Sequence, residues 1–181
     1  MEKKQNVFVA YGIISAIIVI IFYLLLYLGG IEWWLNPIAY LGYALPIVIA
    51  VLAAVKQKKL QEGYLSFGEA LKGVFIVFVI TGLGSTLFQY VLFNYIDVPF
   101  REALSQRTAE MTEEMLRKFG MKEDDIEKAT DEILSGRSYS AGKMMLGFAF
   151  GCIISFIIAL IIAAIVKKKK PEFPQQSQYN G

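Results

Sequence analysis

Four stretches of this 181-residue chain contain no charged side chain: Val7–Leu28, Leu35–Val55, Gly73–Ile96 and Met144–Val166. At 1.5 Å of rise per residue, a helix of about twenty residues covers roughly 30 Å, the thickness of a bilayer's hydrocarbon core. A charge at mid-bilayer costs about 2.5–3.5 kcal/mol on the insertion scale, and an unsatisfied backbone group there is also expensive, so charge-free runs of this length fold as spanning helices. Hydrophobic residues make up 56% of the chain and the mean hydropathy is +0.50, outside the range of an ordinary soluble domain.

The expected fold class is therefore all-α: an integral membrane four-helix bundle with an extracytoplasmic amphipathic helical hairpin between the third and fourth spans. Residues 1–96 hold spans one to three (about 7–28, 35–55 and 73–96). Residues 97–142 form the hairpin, 143–170 the fourth span and a lysine anchor, and 171–181 a disordered tail. The first run is longer than the apolar region of a signal peptide and lacks a small-x-small cleavage pattern, so it is expected to be retained.

Lysine placement orients the bundle. Lys3, Lys4, Lys56, Lys58, Lys59, Lys72 and Lys167, Lys168, Lys169, Lys170 fall on one side, while "GGIEWWLN" and the acid-rich segment after the third span fall on the other. The positive-inside rule then places both termini in the cytoplasm, with Trp33 and Trp34 as anchors at the outer interface. Lys167 to Lys170 read as a stop-transfer anchor that also attracts anionic lipid.

Local punctuation places the helix starts. In "GYLSFGEALKG", Ser66 and Glu69 have capping-box spacing just ahead of an apolar run, so this stretch reads as a helix start and not as a catalytic loop. Asn36-Pro37 opens the second span, and Pro46 should kink it. In the outer segment, Phe100, Leu104, Met111, Met115 and Phe119 share one helical face, Arg117 and Lys118 occupy the last turn, and Gly120 stops the helix. Ile126, Ala129, Thr130 and Ile133 form the apolar face of a second helix. The acids Glu123, Asp124, Asp125 and Glu127 do not have the spacing of a calcium loop and read as a solvated face.

No Asp, Glu, Lys, Arg or His lies within a span core, so proton coupling has nothing obvious to act through. Thr81, Ser85 and Gln89 recur every four residues on the third span, and Gly147, Gly151, Ser155, Ala159 and Ala163 do so on the fourth. Antiparallel packing would set Thr81 against Ala159 and Gln89 against Gly151, with hydrogen bonds of about 0.6 kcal/mol across the seam. Residues spaced by four drift about 40° per step, so Gly147 and Gly151 are expected to meet a different neighbour from Ala163. The chain has no histidine, and Cys152 lacks a base. No catalytic residue, cofactor, metal or nucleic-acid partner is expected.

The order of these features resembles the bacterial inner-membrane family called domain of unknown function 4199. The matching features are a second span ending in "AAVKQKK", "GYLSFGEALKG" opening the third, Pro99 shortly after it, the acidic "GMKEDDIEKATDEIL", and a last span closing on "IIAAIVKKKK". The resemblance covers about residues 5–170 and implies topology without an activity, cofactor or site. The expected role is non-enzymatic. In it, residues 100–136 meet an envelope protein or a second copy, or the chain organises its neighbours in the bilayer; the alternative is an oligomeric transporter or channel subunit.

Overall fold

The computed structural model describes residues 6–169, so Lys3, Lys4, Lys170 and the tail expected over 171–181 lie outside the described residues. The chain order is α1 (Asn6–Leu28), α2 (Ile31–Trp34), a 3-10 turn (Pro37–Tyr40), α3 (Leu41–Leu60), α4 (Phe67–Val91), a π turn (Leu92–Ile96), α5 (Val98–Lys118), α6 (Glu123–Leu134), a second 3-10 turn (Arg137–Tyr139) and α7 (Ala141–Val166). Four helical segments are long and apolar enough to cross a membrane: Val7–Leu28, Pro37–Leu60, Phe67–Ile96 and Ala141–Val166. The protein is an all-α, multi-pass membrane protein.

Three of these helices outrun the charge-free stretches. α3 continues through Lys56, Lys58 and Lys59, α4 begins at Phe67 ahead of Lys72, and α7 begins at Ala141 ahead of Lys143. An uncharged run marks where hydrocarbon would be, whereas backbone hydrogen bonding carries a helix on into the headgroup layer. The Ser66–Glu69 capping box sets the α4 start: the Glu69 N–H donates to Ser66 Oγ and the Ser66 N–H donates to Glu69 Oε2, each at 3.3 Å. Asn36 caps the turn that opens on Pro37, accepting from the Ile38 N–H at 3.0 Å.

α4 is the central helix, touching α1, α3 and α7. At the lysine-bearing end the bundle is closed by small side chains: Ala50, Ala53 and Ala54 on α3, Ala70 and Val74 on α4, and Ala159 and Ala163 on α7 are all buried together. Gly73 belongs to the same region, and a Cβ there would run into the Phe8 ring. The backbone after α7 is tied down as well. Leu65 and Lys168 exchange N–H···O bonds of 3.0 and 2.8 Å, and Lys58 Nζ donates to the Val166 carbonyl at 2.8 Å. Lys167 and Lys168 lie over the Phe67 and Tyr64 rings at 5.7 and 5.5 Å, while Lys169 is exposed.

At the other end, α4 ends in a π turn whose last bond runs from the Asp97 N–H to the Leu92 carbonyl. Asp97 then caps α5 by accepting from the Phe100 N–H at 2.8 Å, and its other carboxylate oxygen accepts from the Tyr27 hydroxyl at 2.8 Å. Asn94 Nδ2 donates to the Tyr139 carbonyl, and Arg101 donates to Asn94 Oδ1. Burial pushes the Tyr139 phenol above its ordinary range, against smaller opposing effects of Ser105 and Arg101. Around this polar elbow, Tyr27, Trp34, Phe93, Phe100 and Tyr139 form an edge-to-face aromatic cluster. Trp34 is thus turned inward, while Trp33 is exposed.

α5 and α6 pack against each other, and Arg117 joins them by pairing with both Glu113 and Glu123. The apolar face read from the sequence of α5 is divided. Phe100 and Leu104 are covered, whereas Met111, Met115 and Phe119 are exposed, and Ser105 and Ala109 are buried in their place.

Candidate functional site

Away from the alanine seam, α3 and α7 diverge and leave a crevice of about 580 Å³ floored by α4. Its width follows from side-chain size. In the closed half α7 approaches its neighbours through Ala159 and Ala163, but in the open half it rests on α4 through the Phe148 ring, which comes within 3.1 Å of where a Cβ on Gly82 would be. α3 meanwhile changes from alanines to Tyr43, Pro46 and Ile47. A phenyl ring on one side and a proline turn on the other hold the helices apart.

The polar stripe of α4 lines this space, but its hydroxyls do not reach across it. Thr81 Oγ1 donates to the Val77 carbonyl at 2.8 Å and Ser85 Oγ to the Gly82 carbonyl at 3.1 Å. This corrects the expected inter-helix glue: a short hydroxyl side chain in an apolar helix finds an acceptor one turn back along its own backbone. Gln89 is too long for that arrangement, and its amide makes no hydrogen bond to a described residue.

The small stripe of α7 is corrected in the same way. Ala159 is fully buried against its neighbours, and Ser155 is half-buried on the crevice wall. Gly147 and Gly151 are exposed, and a Cβ added to either would meet nothing within 4 Å. Their Cα hydrogens face no described neighbour, and both glycines line the crevice.

Sequence reasoning missed the wall formed by α1 and α3. Val19 and Tyr23 line the crevice from α1, and Gly42, Tyr43 and Pro46 line it from α3. The signal was the spacing of Gly42 and Pro46. Proline has no N–H, so Pro46 makes no helical bond to the Gly42 carbonyl. Tyr23, Tyr43 and Gln89 also line a smaller recess of about 230 Å³, together with Trp34, Asn36 and Tyr40. Gln89 therefore stands where the two spaces adjoin.

Among the described residues, no Asp, Glu, Lys or Arg lines either space. The crevice offers amide and phenol hydrogen bonds at one end, small residues along one wall, and apolar surface from the buried Phe78 and half-buried Ile158 deeper in. Such a lining can hold an uncharged molecule by shape, dispersion and a few hydrogen bonds. Among the described residues, no three His, Cys, Asp or Glu side chains converge as a metal site would require. Cys152 lines the crevice and is half-buried.

A family model described as protein of unknown function (DUF4199) matches residues 10–168. No curated protein and no solved structure matches the chain.

Proposed function

The chain belongs to the DUF4199 family, described only as of unknown function, and we propose that this member is a non-enzymatic membrane protein that holds a neutral amphiphile in the crevice between α3 and α7. The observation that carries this reading is the unpartnered Gln89 amide at the junction of an uncharged crevice and an aromatic recess. A polar head would bond to Gln89 and the tyrosines, and the tail would lie along Gly147 and Gly151. The volume suits a small ligand, since binding cavities usually span about 300–1,000 Å³. A helix 10 Å wide crossing half a bilayer would displace roughly 1,200 Å³. This reading is closer to the transporter alternative than to partner presentation. A second reading, in which residues 100–136 meet an envelope protein or a second copy, rests on the exposed Met111 and Phe119. Lys56, Lys59 and Lys72, all exposed near the closed end, support the proposal that this end is cytoplasmic in a bacterial inner membrane.

Native mass spectrometry of the full chain released from nanodiscs containing a monoacylglycerol tests the proposal. Wild type should retain one amphiphile, Gln89→Leu should weaken retention about two- to twelvefold, as expected for loss of a hydrogen bond of about 0.5–1.5 kcal/mol, and Gly151→Trp should abolish retention. Equal retention by the wild type and both variants, or none by any of them, would sink it.

A further inference from the structure

The exposed half of the α5 stripe has a direction, and that direction can be read from the covered half. At 100° per residue, Phe100, Leu104, Met111 and Met115 lie within an arc of about 60°, with Phe119 a further 40° round. The first two belong to the cluster built on Leu92 and Phe93 of the π turn, together with Trp34 and Tyr27. A helix running straight on from α4 would carry Leu104 roughly 18 Å past Leu92. Their burial in one cluster therefore means that α5 folds over across the end of the bundle, with its stripe pointing down onto it. Arg107, reaching to within 4.0 Å of Glu32 on α2, marks the same crossing three residues further on.

Beyond that point the stripe continues, but no bundle lies beneath it. Met111 and Met115 are 46% and 50% exposed, and Phe119 is 78% exposed. Side chains that leave the covered face of one helix keep its direction, so these three point toward the plane from which the spanning helices emerge. Gln106 and Glu110 lie on the far side, Ser105 and Ala109 are buried on a flank, and α6 packs against α5. Lys118 emerges at the edge of the stripe, where its methylenes can follow the apolar surface while the ammonium reaches a phosphate.

We propose that the distal half of α5 is an interfacial helix, with Met111, Met115 and Phe119 inserted into the acyl–headgroup boundary beside the bundle. The partner of this surface is thus the lipid leaflet itself. An amphipathic helix in that position buries its apolar face about 5–10 Å into the boundary, and unbranched methionines suit an irregular lipid contact. Because Asp97, Asn94 and Arg101 fix the elbow at the start of α5, insertion would anchor the helix at both ends.

Spin labels on single cysteines in a Cys152→Ser background, with the full chain reconstituted in phosphatidylcholine–phosphatidylglycerol vesicles, test this by power saturation. Labels at Met111→Cys, Met115→Cys and Phe119→Cys should collide more with oxygen than with a water-soluble nickel chelate, and labels at Gln106→Cys and Glu110→Cys should show the reverse. Nickel-accessible labels at all five positions would overturn the proposal. So would labels at 111 and 115 shielded from both relaxants, since that result means a protein covers the stripe.

Discussion

The two halves of the bundle are built from the same pair of helices and end up differently. Near the lysines, α7 meets α4 and α3 through Ala159 and Ala163, and alanines on α3 face them across a dry seam. In the other half α7 carries glycines at the same spacing, yet a Cβ on Gly147 or Gly151 would meet no described atom within 4 Å. A small residue only permits close approach. Approach happens where the facing helix is small too and where something holds the ends together, as the Leu65–Lys168 bridge and the Lys58–Val166 bond do here. Across the crevice from the glycines stand Tyr43 and Pro46, while Phe148 beside them meets Gly82 of α4, and the helices stay apart.

The sharpest way to break this comparison is to overfill each half in turn. Ala163→Leu forces a larger side chain into a site with no free surface and should destabilise the protein by about 1–3 kcal/mol, read as a lower unfolding midpoint in detergent. Gly73→Val should behave similarly, because the new branch would have to displace the buried Phe8 ring. Ser66→Ala removes the α4 cap, which belongs to the closed half, and should cost about 1 kcal/mol. Gly151→Leu, chemically as large a change as the first, should shift the midpoint by no more than about 0.5 kcal/mol because it projects into open space. If Gly151→Leu proved as damaging as Ala163→Leu, the difference between the halves would be lost.

Much of this architecture was legible from residue patterns. The four spans, the Ser66–Glu69 box and the Asn36-Pro37 start depend on local chemistry, which sequence records directly. The crevice depends instead on how Phe148 meets Gly82 and how α3 changes from Tyr43 and Pro46 to alanines, and those are pairings between distant segments. The Thr81, Ser85, Gln89 stripe shows where the boundary lies. Its shared face was readable, but the choice between bonding across a seam and bonding back to one's own helix is settled by side-chain length and by the distance to α7. The α5 stripe was readable as a face, whereas its division into covered and bare halves required the fold-over set by Asp97 and the π turn.

A cavity walled entirely by uncharged groups, holding an uncharged guest, does not feel the electrical field across the membrane. One elementary charge moved through 100 mV exchanges about 2.3 kcal/mol, while a neutral amphiphile leaving the Gln89 crevice exchanges none. Occupancy in polarised vesicles should match occupancy in depolarised ones, so that filling follows the abundance of the guest in the surrounding leaflet and nothing else.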